Sequence, residues 1–458
     1  MSKLTFRIAA LAVALAAAGA GLSFADAASG VDKAPATEAD MGSTVHNPAT
    51  TEVPGQGSVA AGANSDSAVE RGRYIAVAGD CVACHSIPGS GKPFAGGYRL
   101  ITPFGDLLSS NITQDKETGI GSWTPQQFSD ALRKGKGKEG ENLYPAMPYT
   151  SYAKMTDKDI SDLYAYMKTI KPVSNAVDTN QMPFPFNIRL FMSGWNLLFF
   201  DDKPLTPVAG QSAQWQRGQY LVEALEHCAA CHTPKNFLGG DSSSKAYQGA
   251  ELQGWFAPDI TNNEHTGIGR WSEDALVEYL RKGSNSVAVA SGPMAEAVTN
   301  STQHLSDEDL RAMAVYLKQR DGKPQGASAK PQAVAMTDPR MQSGQKLFAA
   351  NCEACHNSDG EGVINMVAGF AGSASIAAPQ VDSLLNSVLV GSRGAITEQT
   401  PTGAGMPAFA WKLSDQQVAN VLTYIRNQWG NAAEPVTAET VAKARASLKA
   451  PAQMSVVQ

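Results

Sequence analysis

The chain has 458 residues, 43% of them hydrophobic and 17% charged. That is enough apolar material for two to four packed domains and too little charge for a disordered chain. A formal net charge of −6 argues against a nucleic-acid binder.

The N-terminus carries Lys3 and Arg7, then an apolar run from Ile8 to Leu22, then the small-x-small triplet Ala25-Asp26-Ala27. This pattern predicts a cleaved signal peptide over residues 1–27, because the apolar run is short for a membrane span. Export implies an oxidising, periplasmic compartment, where cysteines usually end as disulfides. Residues 28–66 are rich in Ala, Gly, Ser, Thr and Pro without a hydrophobic period and read as a flexible linker.

From there the sequence repeats. Arg71-Gly72-Arg73-Tyr74 leads to Cys81-Val82-Ala83-Cys84-His85. Arg217-Gly218-Gln219-Tyr220 leads to Cys228-Ala229-Ala230-Cys231-His232. Gly344-Gln345-Lys346 precedes Cys352-Glu353-Ala354-Cys355-His356. The first two copies share an insert, Asn111-Ile112-Thr113 with Thr118-Gly119-Ile120-Gly121-Ser122-Trp123 and Asp259-Ile260-Thr261 with Thr266-Gly267-Ile268-Gly269-Arg270-Trp271, which the third lacks. Each copy closes on an amphipathic helix announced by an N-cap and polar first turn at Thr156, Ser306 and Ser414. Tyr166, Tyr316 and Tyr424 match within these helices. We expect each closing helix to cross the glycine-bearing helix that precedes its own cysteine motif. The resulting organisation is all-α: domains over residues 67–175, 213–322 and 336–432, a hydrophobic connecting segment at 176–212, a linker at 323–335 and a polar tail at 433–458. Within the connecting segment, Phe184 to Phe200 is dense in Phe, Leu, Trp and Met but interrupted by Asn187 and Arg189. It reads either as an interfacial or partner-docking segment or as a linker packed between the first two domains.

All six cysteines fall into three CxxCH motifs, the attachment signal of c-type haem. Cys81 with Cys84, Cys228 with Cys231 and Cys352 with Cys355 would form thioethers to three haems. His85, His232 and His356 would bind the irons. Zinc would need four ligands in one small module, and these pairs are more than a hundred residues apart. A redox dithiol would need only one motif. Methionine is the expected second axial ligand of an electron carrier. Met147 and Met294 each lie 62 residues after their histidine, and Met406 lies 50 after His356, in keeping with the missing insert. Met366 is a rival at the third haem but is close to His356 for reaching the opposite face; His227 directly precedes Cys228 and would point away from the iron, which leaves His265 and His304 as bis-histidine alternatives. The carbonyls of Pro88 and Pro234 are candidates to hold the histidines' other ring nitrogen.

With Tyr144-Pro145-Ala146-Met147-Pro148, Phe184-Pro185-Phe186-Asn187 and Gly194-Trp195-Asn196, these motifs resemble the triple-haem cytochrome c subunits of membrane-bound bacterial dehydrogenases over residues 67 to about 432. The resemblance implies three tandem cytochrome c domains, each packing a haem among short helices. It also implies a separate catalytic subunit, with a pyrroloquinoline quinone, flavin or molybdenum cofactor, that oxidises an alcohol, aldehyde, sugar or sugar acid. Electrons would pass to ubiquinone or a downstream oxidase, with the chain peripheral to the membrane. No catalytic residues are expected on this chain. The alternatives are a free-standing multihaem shuttle and a haem enzyme with one open iron site, for which the second haem would be the candidate if Met294 is not a ligand.

Overall fold

The computed structural model describes residues 59–321, apart from 253 and 265, and residues 332–449. The expected signal peptide, the linker up to residue 58, residues 322–331 of the second linker, the last residues of the tail and His265 lie outside the described residues.

Three helix pairs organise the chain. The opening helices are Ala68–Ala78, Ala213–Tyr220 and Pro339–Asn351. The closing helices are Asp157–Met167, Asp307–Lys318 and Asp415–Ile425. Each closing helix starts where its sequence dictates. The hydroxyls of Thr156, Ser306 and Ser414 accept from the backbone N–H of Asp159, Asp309 and Gln417, each cap stabilising by about 1 kcal/mol.

The expected crossings are present, and they are tight. A Cβ on Gly72 would lie 1.9 Å from the Asp162 carbonyl oxygen, one on Gly218 1.9 Å from that of Ala312, and one on Gly344 2.3 Å from that of Asn420. The next closest atoms include the Cβ of Tyr166, Tyr316 and Tyr424, at 2.8, 2.8 and 2.6 Å. The matched glycines and tyrosines are therefore two sides of one contact.

The first two units share a contiguous apolar core, in which Tyr74, Ile75 and Val77 join Leu221, Leu225 and Leu310. The third packs its own around Met341, Phe348, Leu389, Val418 and Leu422. Short antiparallel hairpins interrupt the helices: Arg99–Thr102 with Gly105–Leu108, Gln248–Leu252 with Trp255–Asp259, and Ser392–Arg393 with Gly405–Met406. The shared insert of the first two copies is a loop stitched by its own side chains. Asn111 Oδ1 accepts from Thr113 N at 2.9 Å and Asp259 Oδ1 from Thr261 N at 2.8 Å. Ile120 N and Ile268 N then donate to the Thr113 and Thr261 carbonyls, both at 2.9 Å.

Two segments flanking the domains are ordered. Val59–Asn64 forms a 3₁₀ turn against the first opening helix, tied by Arg71 Nη1 to the Ser65 carbonyl at 2.7 Å. The polar tail contains the helix Ala438–Lys449, whose Val441, Ala444 and Leu448 meet the third core at helical spacing. Arg445 anchors it to the Asp415 carboxylate at 2.7 Å. The connecting segment touches both neighbours. Tyr149 Oη donates to Asn196 Oδ1 at 2.7 Å, and Trp195 Nε1 donates to the Leu238 carbonyl at 2.9 Å. Its helix Phe191–Phe199 nonetheless buries no residue fully, and Phe184 and Leu190 are 79% and 73% exposed.

Replacing Gly72 or Gly218 with alanine drives a methyl group into a backbone carbonyl. It is expected to cost at least about 1–3 kcal/mol, read as a lowered midpoint in thermal or denaturant unfolding. A second prediction concerns Glu226, whose Oε1 accepts from Ser301 Oγ at 3.2 Å at the seam between the first two units. Burial pushes its carboxyl from the ordinary 4.5 up to about 8. Between those values the unfolded chain has released the proton and the folded chain has not. Stability should therefore fall as pH rises from about 4.5 to about 8 and level off above. Thermal unfolding at pH 5 and pH 8 should show a smaller gap in Glu226→Gln than in the parent chain.

Candidate haem-binding sites

Each CxxCH motif is a single helical turn, at Cys81–His85, Ala229–His232 and Glu353–His356. In the first two units the residue before the first cysteine takes a left-handed conformation, with φ of 47° at Asp80 and 37° at His227. This reverses the chain between the opening helix and the motif. The second copy has one more residue between glycine and cysteine than the first. A π-helical turn over Leu221–Leu225, closed by Glu226 N donating to the Leu221 carbonyl at 2.8 Å, absorbs it. The third unit dispenses with the kink and runs from Asn351 into Cys352 at φ −122°.

All six thiols are free. Burial pushes the Cys81 thiol up to about 12 and Cys352 up to about 11. Protonated thiols are poor metal ligands, and among the described residues no group of three or more His, Cys, Asp or Glu could hold a bare metal ion. A neutral thiol is, by contrast, the species whose sulfur and hydrogen add across a vinyl group.

The histidines are fixed by backbone. Nδ1 of His85 lies 2.7 Å from the Ser110 carbonyl, that of His232 2.6 Å from Pro258, and that of His356 3.0 Å from Ala368. A carbonyl can only accept, so Nδ1 carries the hydrogen and Nε2 keeps its lone pair for a metal. Burial also lowers the pKa of all three rings and keeps them neutral. The expectation that Pro88 and Pro234 supply these carbonyls is corrected. Ser110 follows the first hairpin, Pro258 lies in the second, and Ala368 lies in the loop after the third attachment turn; the Pro234 carbonyl is instead engaged by Ser242 N at 2.8 Å. Phe370 was also missed. It stacks on the His356 ring with centroids 4.4 Å apart, and it sits in a loop with no pattern to flag it.

Cys81, Cys84, His85 and Met147, Cys228, Cys231, His232 and Met294, and Cys352, Cys355, His356 and Met406 all line one continuous, mainly apolar cavity of about 2730 Å³. The methionines arrive on different local structures. Met147 closes a turn whose N–H donates to the Tyr144 carbonyl at 3.1 Å. Met294 sits in the first turn of the helix Pro293–Asn300, and Met406 pairs with Ser392 in a two-residue strand. Met366, two residues before the Ala368 whose carbonyl holds His356, also lines the cavity. His227 Nε2 is turned to the Gly79 carbonyl at 3.4 Å, and its ring packs edge-on against Tyr152. His304 ends the 3₁₀ turn Thr302–His304 and does not line the cavity.

Paired free thiols, an oriented neutral imidazole, a thioether and apolar walls recur three times, and this donor set fits covalently bound haem. The cytochrome c family model matches residues 69–171, 215–321 and 341–429. The gluconate 2-dehydrogenase cytochrome c subunit of Pantoea cypripedii is 41% identical over 83% of this chain and 90% of its own length. The fructose dehydrogenase cytochrome subunit of Gluconobacter japonicus is 37% identical over 83% of each chain. The cytochrome c subunit of alcohol dehydrogenase (quinone) from Gluconobacter oxydans strain 621H is 38% identical over 83% of this chain and 82% of its own. With a haem-attachment turn inside each of the three matched regions, the chain belongs to the cytochrome c family and carries its domain three times in tandem.

Proposed function

We propose that this chain is the triple-haem electron-transfer subunit of a dehydrogenase complex. It takes electrons from a catalytic subunit that oxidises an alcohol, aldehyde or sugar with a pyrroloquinoline quinone, flavin or molybdenum cofactor. It passes them to ubiquinone or a terminal acceptor in the periplasm. The observation that carries the reading is the threefold recurrence of one arrangement: a CxxCH turn whose histidine is held through Nδ1 by a backbone carbonyl, opening on a shared apolar cavity with a methionine in its lining.

In this reading Cys81 and Cys84, Cys228 and Cys231, and Cys352 and Cys355 would hold the porphyrins, and His85 with Met147, His232 with Met294, and His356 with Met406 would ligate the irons. Bound haem supplies a one-electron iron couple. The chain does the rest. The carbonyls of Ser110, Pro258 and Ala368 orient each imidazole and raise its basicity. Methionine sulfur raises the potential, and the apolar walls exclude water. The exposed apolar residues Phe184, Leu190, Phe191 and Leu197 support contact with a membrane surface; no helix among the described residues is long and apolar enough to cross one.

The test is direct. A haem assay should give three haems per chain. Met147→Ala, Met294→Ala and Met406→Ala should each remove about a third of the methionine–iron charge-transfer absorption and open one iron to carbon monoxide. The tagged chain should co-purify with a large dehydrogenase subunit. A colourless protein would refute the reading. An unchanged spectrum in Met294→Ala, with carbon monoxide already bound by the parent, would shift it toward a haem enzyme.

A further inference from the structure

Tyr74 and Tyr220 each stand two residues after the crossing glycine of their opening helix. They reach across the seam between the first two units in opposite directions. Tyr74 Oη donates to Asp309 Oδ2 at 2.6 Å and accepts from Ser306 N at 3.3 Å. Tyr220 Oη donates to Asp159 Oδ2 and accepts from Thr156 N at 3.2 Å. Ser306 and Asp309 are the N-cap and third residue of one closing helix, and Thr156 and Asp159 are those of the other. The tyrosine of each unit thus binds the cap of its partner, which is the signature of a self-complementary two-fold interface. The third unit has Lys346 and Gln417 at the corresponding positions and cannot make this exchange. It joins the second unit differently, through Ser383 on the Phe256 backbone, Asn386 Nδ2 on the Gly254 carbonyl, Ile396 N on Thr299 Oγ1 at 3.0 Å, and a small apolar cluster of Ala395 with Ala290, Ala295 and Val298.

The same seam brings two cysteine motifs together. Tyr152 Oη and His227 Nε2 both approach the Gly79 carbonyl, at 3.0 and 3.4 Å, so the backbone just before Cys81 is tied to the residue just before Cys228. The two units also share a core that the third does not join.

We propose that the first two domains form a pseudo-two-fold pair that holds their haems as one coupled unit, with Tyr74 and Tyr220 as positioning residues and the third domain as a separate carrier. This rests on the three-haem reading above. With haem bound, the pair would supply two neighbouring one-electron iron couples, one oxidised as the other is reduced with no bond made or broken, and an electron on either would raise the cost of placing a second on its neighbour through their charge interaction.

The experiment uses the full chain loaded with haem. Soret circular dichroism should show a two-signed couplet that survives in C352A/C355A, which lacks only the third haem. In Y74F/Y220F the couplet amplitude should fall by about half or more. The separation between the two pair potentials in a spectroelectrochemical titration should narrow with it. A couplet that vanishes with the third haem overturns the proposal. So does a double variant with a lower melting temperature but an unchanged couplet and unchanged separation. If that variant fails to fold, the C352A/C355A result alone decides. A haem ratio other than three would fail the underlying reading instead and is measured separately.

Discussion

At Gly72, Gly218 and Gly344 two helices meet with no room for a methyl group, and the rest of each unit is arranged around that contact. The closing helix fixes the opening helix, and the opening helix delivers the CxxCH turn. The turn aims a histidine at a backbone carbonyl farther along the chain, at Ser110, Pro258 or Ala368. Because the crossing is backbone against backbone, it leaves little freedom for rotamer adjustment. A small displacement there would be carried along the opening helix to the ring nitrogen meant for iron.

The electrostatics of the sites follow from burial. Burial holds the thiols protonated and the imidazoles neutral, and a neutral imidazole keeps the ring lone pair that a metal takes. The sulfur side is built with more latitude. A turn, a helix and a strand each bring a methionine to the cavity, so what recurs is the donor and its place along the chain, not its secondary structure. A long flexible thioether tolerates that variation, where a histidine locked by a carbonyl does not.

Much of this was legible in the sequence because it depends on short-range spacing. CxxCH places thiols and imidazole on one turn whatever surrounds it. Matching glycines and tyrosines announced the helix crossing, and a common interval singled out Met147 and Met294. The partners of the histidines were not legible. Ser110, Pro258 and Ala368 act through carbonyls, which every residue has, and only the folding of the chain after each attachment turn decides which one arrives. Proline near the histidine was a plausible marker that pointed to the wrong stretch of chain. The docking of the tail helix was hidden for a related reason: Val441, Ala444 and Leu448 make a narrow apolar face that gains meaning only against the third core.

The π-helical turn at Leu221–Leu225 shows how one of these units tolerates a change in length. An added residue would ordinarily rotate everything downstream by about 100° and swing the attachment turn off its target. Here a single widened loop of backbone takes up the whole surplus, and His232 still meets its carbonyl at 2.6 Å. Insertions upstream of the motif are thus quarantined within one turn, so the stretch between glycine and cysteine can drift in length while the metal-facing end of the unit stays in register.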